Sequence, residues 1–282
     1  MSKTLNNLSK FKNSYFIAIC LWCLSLGITN PANAEYKKPK TPTGNDAPNS
    51  QTTSIAATRG VCNLASDSSK QVAKDATLTA LAPYSHVGQS SATNPTFTWY
   101  IPDRESYPME FWLYEFDPTS YGGKGKQVYQ AKLASSAGIM THSLPTKQAG
   151  LTPGKTYIWQ VALICNPNSP SQSLVVNNQV KIVEVDPTLK TQLNNSSDYL
   201  TKADIYAQAG LWYDALAEVA TMPNDPQAQD LTLKLISQLA QTEQANSITP
   251  SAENAKETQL IETHQQNLRR VIEALQPNSK SL

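Results

Sequence analysis

Three histidines, His86, His142 and His264, and five carboxylates at Asp103, Glu105, Glu110, Glu115 and Asp117 are the residues best suited to acid–base chemistry. A zinc site calls for histidines or acids at i, i+4 or in a Cys/His spacing, and each histidine here stands alone in the sequence. Two carboxylates suffice for glycoside hydrolysis, but five acids around one hairpin read as solvated turn and edge charges that discourage edge-to-edge pairing. No Gly-x-Ser-x-Gly elbow is present. Gly122-Gly123-Lys124-Gly125 lacks the strand-to-helix setting of a phosphate loop and reads as a hairpin tip. No catalytic, cofactor or metal residue is assigned. A non-enzymatic protein is expected, with an enzyme of unrecognised class as the alternative.

The aromatics offer a different chemistry, which is stacking. Trp99, Tyr100, Trp112, Tyr114, Tyr121 and Tyr129 fall on three consecutive strand-like segments or their turns. Period-two alternation puts Phe97, Trp99 and Ile101 on one face, with Tyr100 on the other; Phe111 and Leu113 likewise oppose Trp112 and Tyr114. With the first set in the core, Tyr100, Trp112 and Tyr114 form an outer patch suited to sugars or to a docked partner. The competing expectation is that amphipathic helices later in the chain cover that face. Trp212, in the helical region, completes the set of candidate binding aromatics.

Cysteine chemistry depends on the chain's ends. Lys3, Lys10 and Lys12 precede an apolar stretch over residues 15–28, and Pro31 and Ala32-Asn33-Ala34 follow. That order reads as a secretory signal cleaved near Ala34, too short for a membrane span. Cys20 and Cys23 leave with it, so Cys62 and Cys165 remain. An even pair in an exported chain reads as one disulfide, two free thiols or a metal pair being the alternatives. A bridge closing roughly 100 residues stabilises by about 4–5 kcal/mol in the chain-entropy account. The whole chain carries a formal net charge of +1; without residues 1–34 it holds 20 basic and 22 acidic residues, a net −2. It therefore lacks the basic stripe that a phosphate backbone requires, and nucleic acid is not an expected partner. No second apolar run reaches membrane-spanning length, so the mature protein is not expected to span a membrane.

The elements that position these residues divide at about residue 186. Residues 35–58, with Pro39, Pro42 and Pro48 among polar residues, read as a disordered linker. Residues 59–186 hold candidate strands at 77–82, 96–101, 109–116, 127–133, 138–144, 157–165 and 179–185, separated by turn residues. Seven short strands without βαβ alternation argue for an antiparallel β-sandwich. Residues 196–276 read as a helical tail. Ser197 caps a helix over 198–209 stopped by Gly210, and a second helix spans 212–221. Asp225-Pro226 opens a third helix to about 241, and Thr249-Pro250 a fourth to Leu275. The fold class expected is α+β.

Several segments resemble known families. Leu151-Thr152-Pro153-Gly154-Lys155-Thr156-Tyr157 resembles the corner entering strand F of fibronectin type III domains, which implies an immunoglobulin- or fibronectin-like sandwich and a tyrosine hydroxyl bonded back to the corner. Tyr199, Ala203, Tyr206, Gly210, Trp212 and Ala215 match the spacing of a single tetratricopeptide repeat, for which a local helical hairpin is the alternative. Arg59-Gly60-x-Cys62, Leu78-Thr79-Ala80-Leu81-Ala82-Pro83 and Pro95-Thr96-Phe97-x-Trp99-Tyr100-Ile101-Pro102 begin a longer pattern. Glu110-Phe111-x-Leu113, Tyr157-x-Trp159, Cys165 and Tyr206-x-x-x-Gly210-x-Trp212-Tyr213-Asp214-Ala215-Leu216 continue it. Over residues 59–222 this pattern resembles the domain-of-unknown-function 928 family of exported cyanobacterial proteins. The resemblance implies export and a β-rich domain, and no activity.

The expectation is thus an exported, periplasmic or extracellular binding or scaffold module. Its partner is a protein or cell-envelope component, or a glycan held by the strand aromatics.

Overall fold

Successive side chains of β3 (Thr96–Ile101) and β4 (Pro108–Phe116) point to opposite faces, and turn residues bound both. The computed structural model describes residues 35–39, 62, 76–243 and 252–276. They belong to one unit, Ala32–Leu282. The remaining strands are β1 (Thr79–Ala80), β2 (Gly88–Ser90), β5 (Lys124–Ala134), β6 (Gly138–Ser143), β7 (Thr156–Leu163) and β8 (Leu174–Ile182). They form a three-stranded sheet, β1-β3-β6, and a five-stranded sheet, β2-β8-β7-β4-β5. Pairing is antiparallel except at one edge, where β2 runs parallel to β8 with Gly88 opposite Val180. Sequence reading misses β2, because three residues of Gly-Gln-Ser carry no apolar alternation. It also starts the last strand five residues late, since Asn177 and Asn178 interrupt the apolar pattern inside β8.

Helices follow the strands. Asp186 accepts from the Thr188 and Leu189 amides and opens α1 (Pro187–Asn194), an unexpected helix. No residue of α1 is buried, so it leaves no apolar stripe for a sequence pattern to find. The cap of α2 (Tyr199–Gln208) is Asp198, not Ser197, because the Asp198 carboxylate accepts from Thr201 N–H at 2.8 Å. A tight turn leads to α3 (Trp212–Ala220), Asp225 caps α4 (Pro226–Thr242), and α5 spans Ala252–Leu275. The Thr249-Pro250 signal and residues 1–34 lie outside the described residues. Among those described, no helix is long and apolar enough to cross a membrane.

The helices are part of the interior. Phe97 and Trp99 of β3 meet Phe111 of β4 at 5.1 and 6.2 Å between ring centroids, and Trp159 of β7 at 5.5 and 6.4 Å. Those rings share one hydrophobic cluster with Ala203, Trp212, Leu216, Leu235 and Leu268 of the helices. Helix α3 packs on β2, β3 and β6, and α5 on β1. The expected tail is therefore a third layer, packed on the three-stranded sheet and on the β2 edge of the five-stranded one. Its amphipathic stripes are buried there, as hydrophobic burial requires.

Polar anchors fix that layer. Trp212 donates from Nε1 to the Leu81 carbonyl at 2.9 Å. Tyr213 donates to the Gln179 carbonyl at 2.7 Å and accepts from Trp159 Nε1 at 2.8 Å. Asp214 accepts from the Ser91 amide and hydroxyl and from the Ala92 amide. Three successive residues of α3 thus tie it to the segments after β1 and β2 and to strands β7 and β8.

Residues 35–39 correct the expectation of a free linker. Tyr36 is 4% exposed, its amide donates to Gln238 Oε1, and Lys37 donates to the Ala207 carbonyl. Gly210, at φ +79°, lets this segment close in: a Cβ there would lie 3.0 Å from the Lys37 carbonyl oxygen. Residues 40–58 lie outside the described residues.

Candidate functional site

Of the four candidate aromatics, two are ruled out by burial. Trp212 is 0% exposed and spends its indole N–H inside the protein. Tyr100 is 8% exposed and belongs to the other sheet from Trp112 and Tyr114. A common patch requires β3 and β4 to lie in one sheet. They instead face each other across the core through Phe97, Trp99 and Phe111, so their alternate residues point in opposite directions. Tyr100 points away from Phe97 on its own strand, and Trp112 lies on the outward face of the five-stranded sheet.

Trp112 and Tyr114 remain, half-buried on the outward face of the five-stranded sheet. Two residues along a strand separate them by about 7 Å. In register, Trp112 lies between Gln130 of β5 and Gln160 of β7. Tyr114 lies between Gln127 and Ile158, and Glu110 between Lys132 and Ala162. Gln127, Gln130 and Lys132 are exposed and Gln160 is half-buried. Amides therefore flank the aromatic pair, offering donors and acceptors beside two π faces.

Lys124 enters this face from the start of β5. A 3₁₀ turn at Tyr121–Gly123, with Gly122 and Gly123 both at positive φ, reverses the chain between β4 and β5. Asp117 stiffens the approach by accepting from the Thr119 amide and hydroxyl and the Ser120 hydroxyl. Lys124 then donates to Gln160 Oε1 and places its ammonium 5.6 Å from the Tyr114 ring centroid, a cation–π distance. Burial holds the Lys124 pKa below its usual value and the Tyr114 phenol above its own. The neighbouring Glu115 is ion-paired to Lys155 at 2.5 Å.

The expected cysteine pair forms a disulfide, Cys62–Cys165, with Cα atoms 5.0 Å apart. Cys165 lies two residues past β7, and the Cys62 amide donates to Asp103 Oδ1 beyond the end of β3. The bridge clamps an N-terminal residue to the ends of both sheets.

The structure assembles an acid–base cluster that sequence spacing hides. Tyr36 Oη and His86 Nε2 are 2.7 Å apart, and Ser85 Oγ and His86 Nδ1 3.2 Å. Glu243, 1% exposed, accepts from the Tyr84 and Ser85 amides at 2.8 Å. Burial raises the Glu243 carboxyl to about 7 and lowers His86 to about 3. Partners 158 or 159 residues apart leave no local signature. The cavity beside Tyr84 and His264 holds about 10 Å³, at the limit for one water. The cluster's geometry suits holding residues 35–39 and the 83–87 loop onto the end of α4.

The other histidines are also spoken for. His264 is buried with Nε2 3.0 Å from the Ala82 carbonyl oxygen, and desolvation lowers it to about 4. His142 is half-buried and stacks on Tyr129 at 5.7 Å. The acids expected around one hairpin disperse: Asp103 is buried beside Cys62, Glu110 faces outward, and Asp117 is consumed in its turn. Among the described residues, no group of three or more His, Cys, Asp or Glu side chains gathers as a metal site.

Comparison with known proteins yields one finding. A family model described as Domain of Unknown Function (DUF928) matches residues 54–252. No curated protein and no solved structure matches the chain.

Proposed function

We propose, from the premise that this chain belongs to the Domain of Unknown Function (DUF928) family, that it is a non-enzymatic extracytoplasmic module binding a cell-envelope glycan through the outward face of its five-stranded sheet. Most of the pattern that carried the resemblance is architectural. Trp99, Phe111, Leu113, Trp159 and Trp212 are buried, and Trp212, Tyr213 and Asp214 anchor α3. Those residues account for the fold. A ligand has to be met by surface positions outside that set.

One observation carries the reading: Trp112 and Tyr114 share an outward sheet face with Gln127, Gln130 and Gln160 beside them. Flat aromatic surface next to amide donors and acceptors suits a pyranose, with its apolar ring face and hydroxyl rim. The alternative of a protein partner on a free helical tail has less support, since α2–α5 bury their stripes in the core. Export is supported by the signal-like residues 1–34 and by the Cys62–Cys165 bridge. A fibronectin-like corner also belongs to this reading; it is supported by Tyr157 Oη accepting from the Thr152 amide at 2.9 Å.

The test is binding of the oxidised protein to a glycan array. Trp112→Ala should lose at least tenfold in affinity while keeping its circular dichroism spectrum. Binding of the folded variant at full strength, or an array with no ligand, refutes the proposal.

A further inference from the structure

We infer that the glycan is acidic: the outward face takes a uronate-containing polysaccharide, with a sugar ring on Trp112 and Tyr114 and its carboxylate on Lys124. This deepens the proposed function and rests on it.

The charges of the face point one way. Glu110 stands opposite Lys132 in register, and Glu115 is ion-paired with Lys155. Lys124 has neither arrangement. Its ammonium meets a neutral amide oxygen on Gln160 and the π face of Tyr114, with no carboxylate among the contacts described. An ammonium carries three donors, and Gln160 Oε1 takes one. A half-buried cation held by dipoles alone has given up hydration without gaining a counter-ion. Burial accordingly depresses its pKa. A carboxylate arriving on a sugar that stacks on Tyr114 supplies the missing charge at that position. Such a charge-assisted contact is stronger than a neutral one and selects against an uncharged sugar. The lysine is also placed by the Tyr121–Gly123 turn and by Gln160, so little ordering is needed on binding.

The experiment uses the oxidised protein and uronate oligomers from polygalacturonate and alginate, compared by calorimetry with their methyl esters, which keep the rings and lose the charge. Uronate oligomers should bind about tenfold tighter than the esters at low salt, and the gap should narrow as salt rises. Lys124→Gln should close the gap between uronates and esters, and Trp112→Ala should abolish binding of both. Equal binding of uronates and esters, dependent on Trp112, overturns the inference and leaves the glycan proposal standing. So does a neutral glycan that binds when no uronate does. Binding of poly-glutamate as tight as the uronates and insensitive to Trp112→Ala marks simple ion exchange and also overturns it. If nothing binds in a Trp112-dependent way, both the inference and the proposal fail.

Discussion

Tyr213→Phe tests whether the helices are a structural layer of the fold or an appendage to it. The substitution removes one oxygen and leaves the ring in place. That oxygen donates to the Gln179 carbonyl at 2.7 Å and accepts from Trp159 Nε1 at 2.8 Å, both in the interior. Tyr213 is 3% exposed and Trp159 0%. Burial holds the phenol far above its ordinary pKa, so the group is neutral at every accessible pH. Its loss strands a buried indole N–H and removes one donor from the Gln179 carbonyl. A stranded buried donor costs about 1–3 kcal/mol and a lost hydrogen bond about 0.5–1.5 kcal/mol, so a loss of roughly 1.5–4.5 kcal/mol is expected, a large share of the 5–15 kcal/mol typical of a whole domain. Urea unfolding followed by tryptophan fluorescence and by helical circular dichroism should show one transition, moved to lower urea equally by both probes. Adding Trp159→Phe should cost less in the variant than in the parent, by about 1 kcal/mol or more. The reasoning is refuted if the loss is below about 0.5 kcal/mol. It is also refuted if the helical signal melts separately while the fluorescence transition stays in place.

Other perturbations bear on the remaining joints. Replacing both Cys62 and Cys165 with serine should lower stability by up to about 5 kcal/mol, and a reductant should do the same to the parent protein and nothing to the variant. Gly210→Ala places a Cβ at φ +79°, 3.0 Å from the Lys37 carbonyl oxygen; a loss of about 1–2 kcal/mol should come with faster hydrogen exchange at the Tyr36 and Lys37 amides. Stability should also depend on pH in a specific way. His86 and His264 fall from 6.5 to about 3 and about 4 on folding, so the stability they contribute is present above pH 6.5 and lost as pH falls below it. Glu243 rises from 4.5 to about 7, so its contribution is present below pH 4.5 and lost as pH rises through 7. Between pH 6.5 and 4.5 two histidines outweigh one glutamate, giving a net loss of roughly 1.4 kcal/mol per pH unit. Glu243→Gln should about double that slope in urea titrations at stepped pH, and an unchanged or shallower slope contradicts the assignment.

Local signals carried much of this protein. β3 begins and ends where its alternation does, at Thr96 and Ile101. Asp225 followed by Pro226 starts α4 because a cap and a fixed φ act within one turn. The cysteine pair follows from count and context. Where several residues matched a local pattern equally well, the prediction slipped by a residue or took the wrong neighbour, as with Ser197 and Asp198.

Sheet membership is the property that local pattern leaves open. Alternation says that Tyr100 and Phe97 point to opposite sides of one strand, and that Trp112 and Phe111 do the same on the next. It says nothing about whether those strands pair or face each other, which depends on long-range packing. Facing, they bury Tyr100 and leave Trp112 half-exposed on another sheet, and only then does Lys124, from the far end of a hairpin, meet Tyr114 and Gln160. The Tyr36–His86–Glu243 cluster is invisible for the same reason: its members are neighbours in space across more than 200 residues of chain. Composition, period and capping act over a few residues and are written in the chain. Which polar groups converge, and which aromatic face is left to solvent, is set by how the three layers bury their apolar faces against one another.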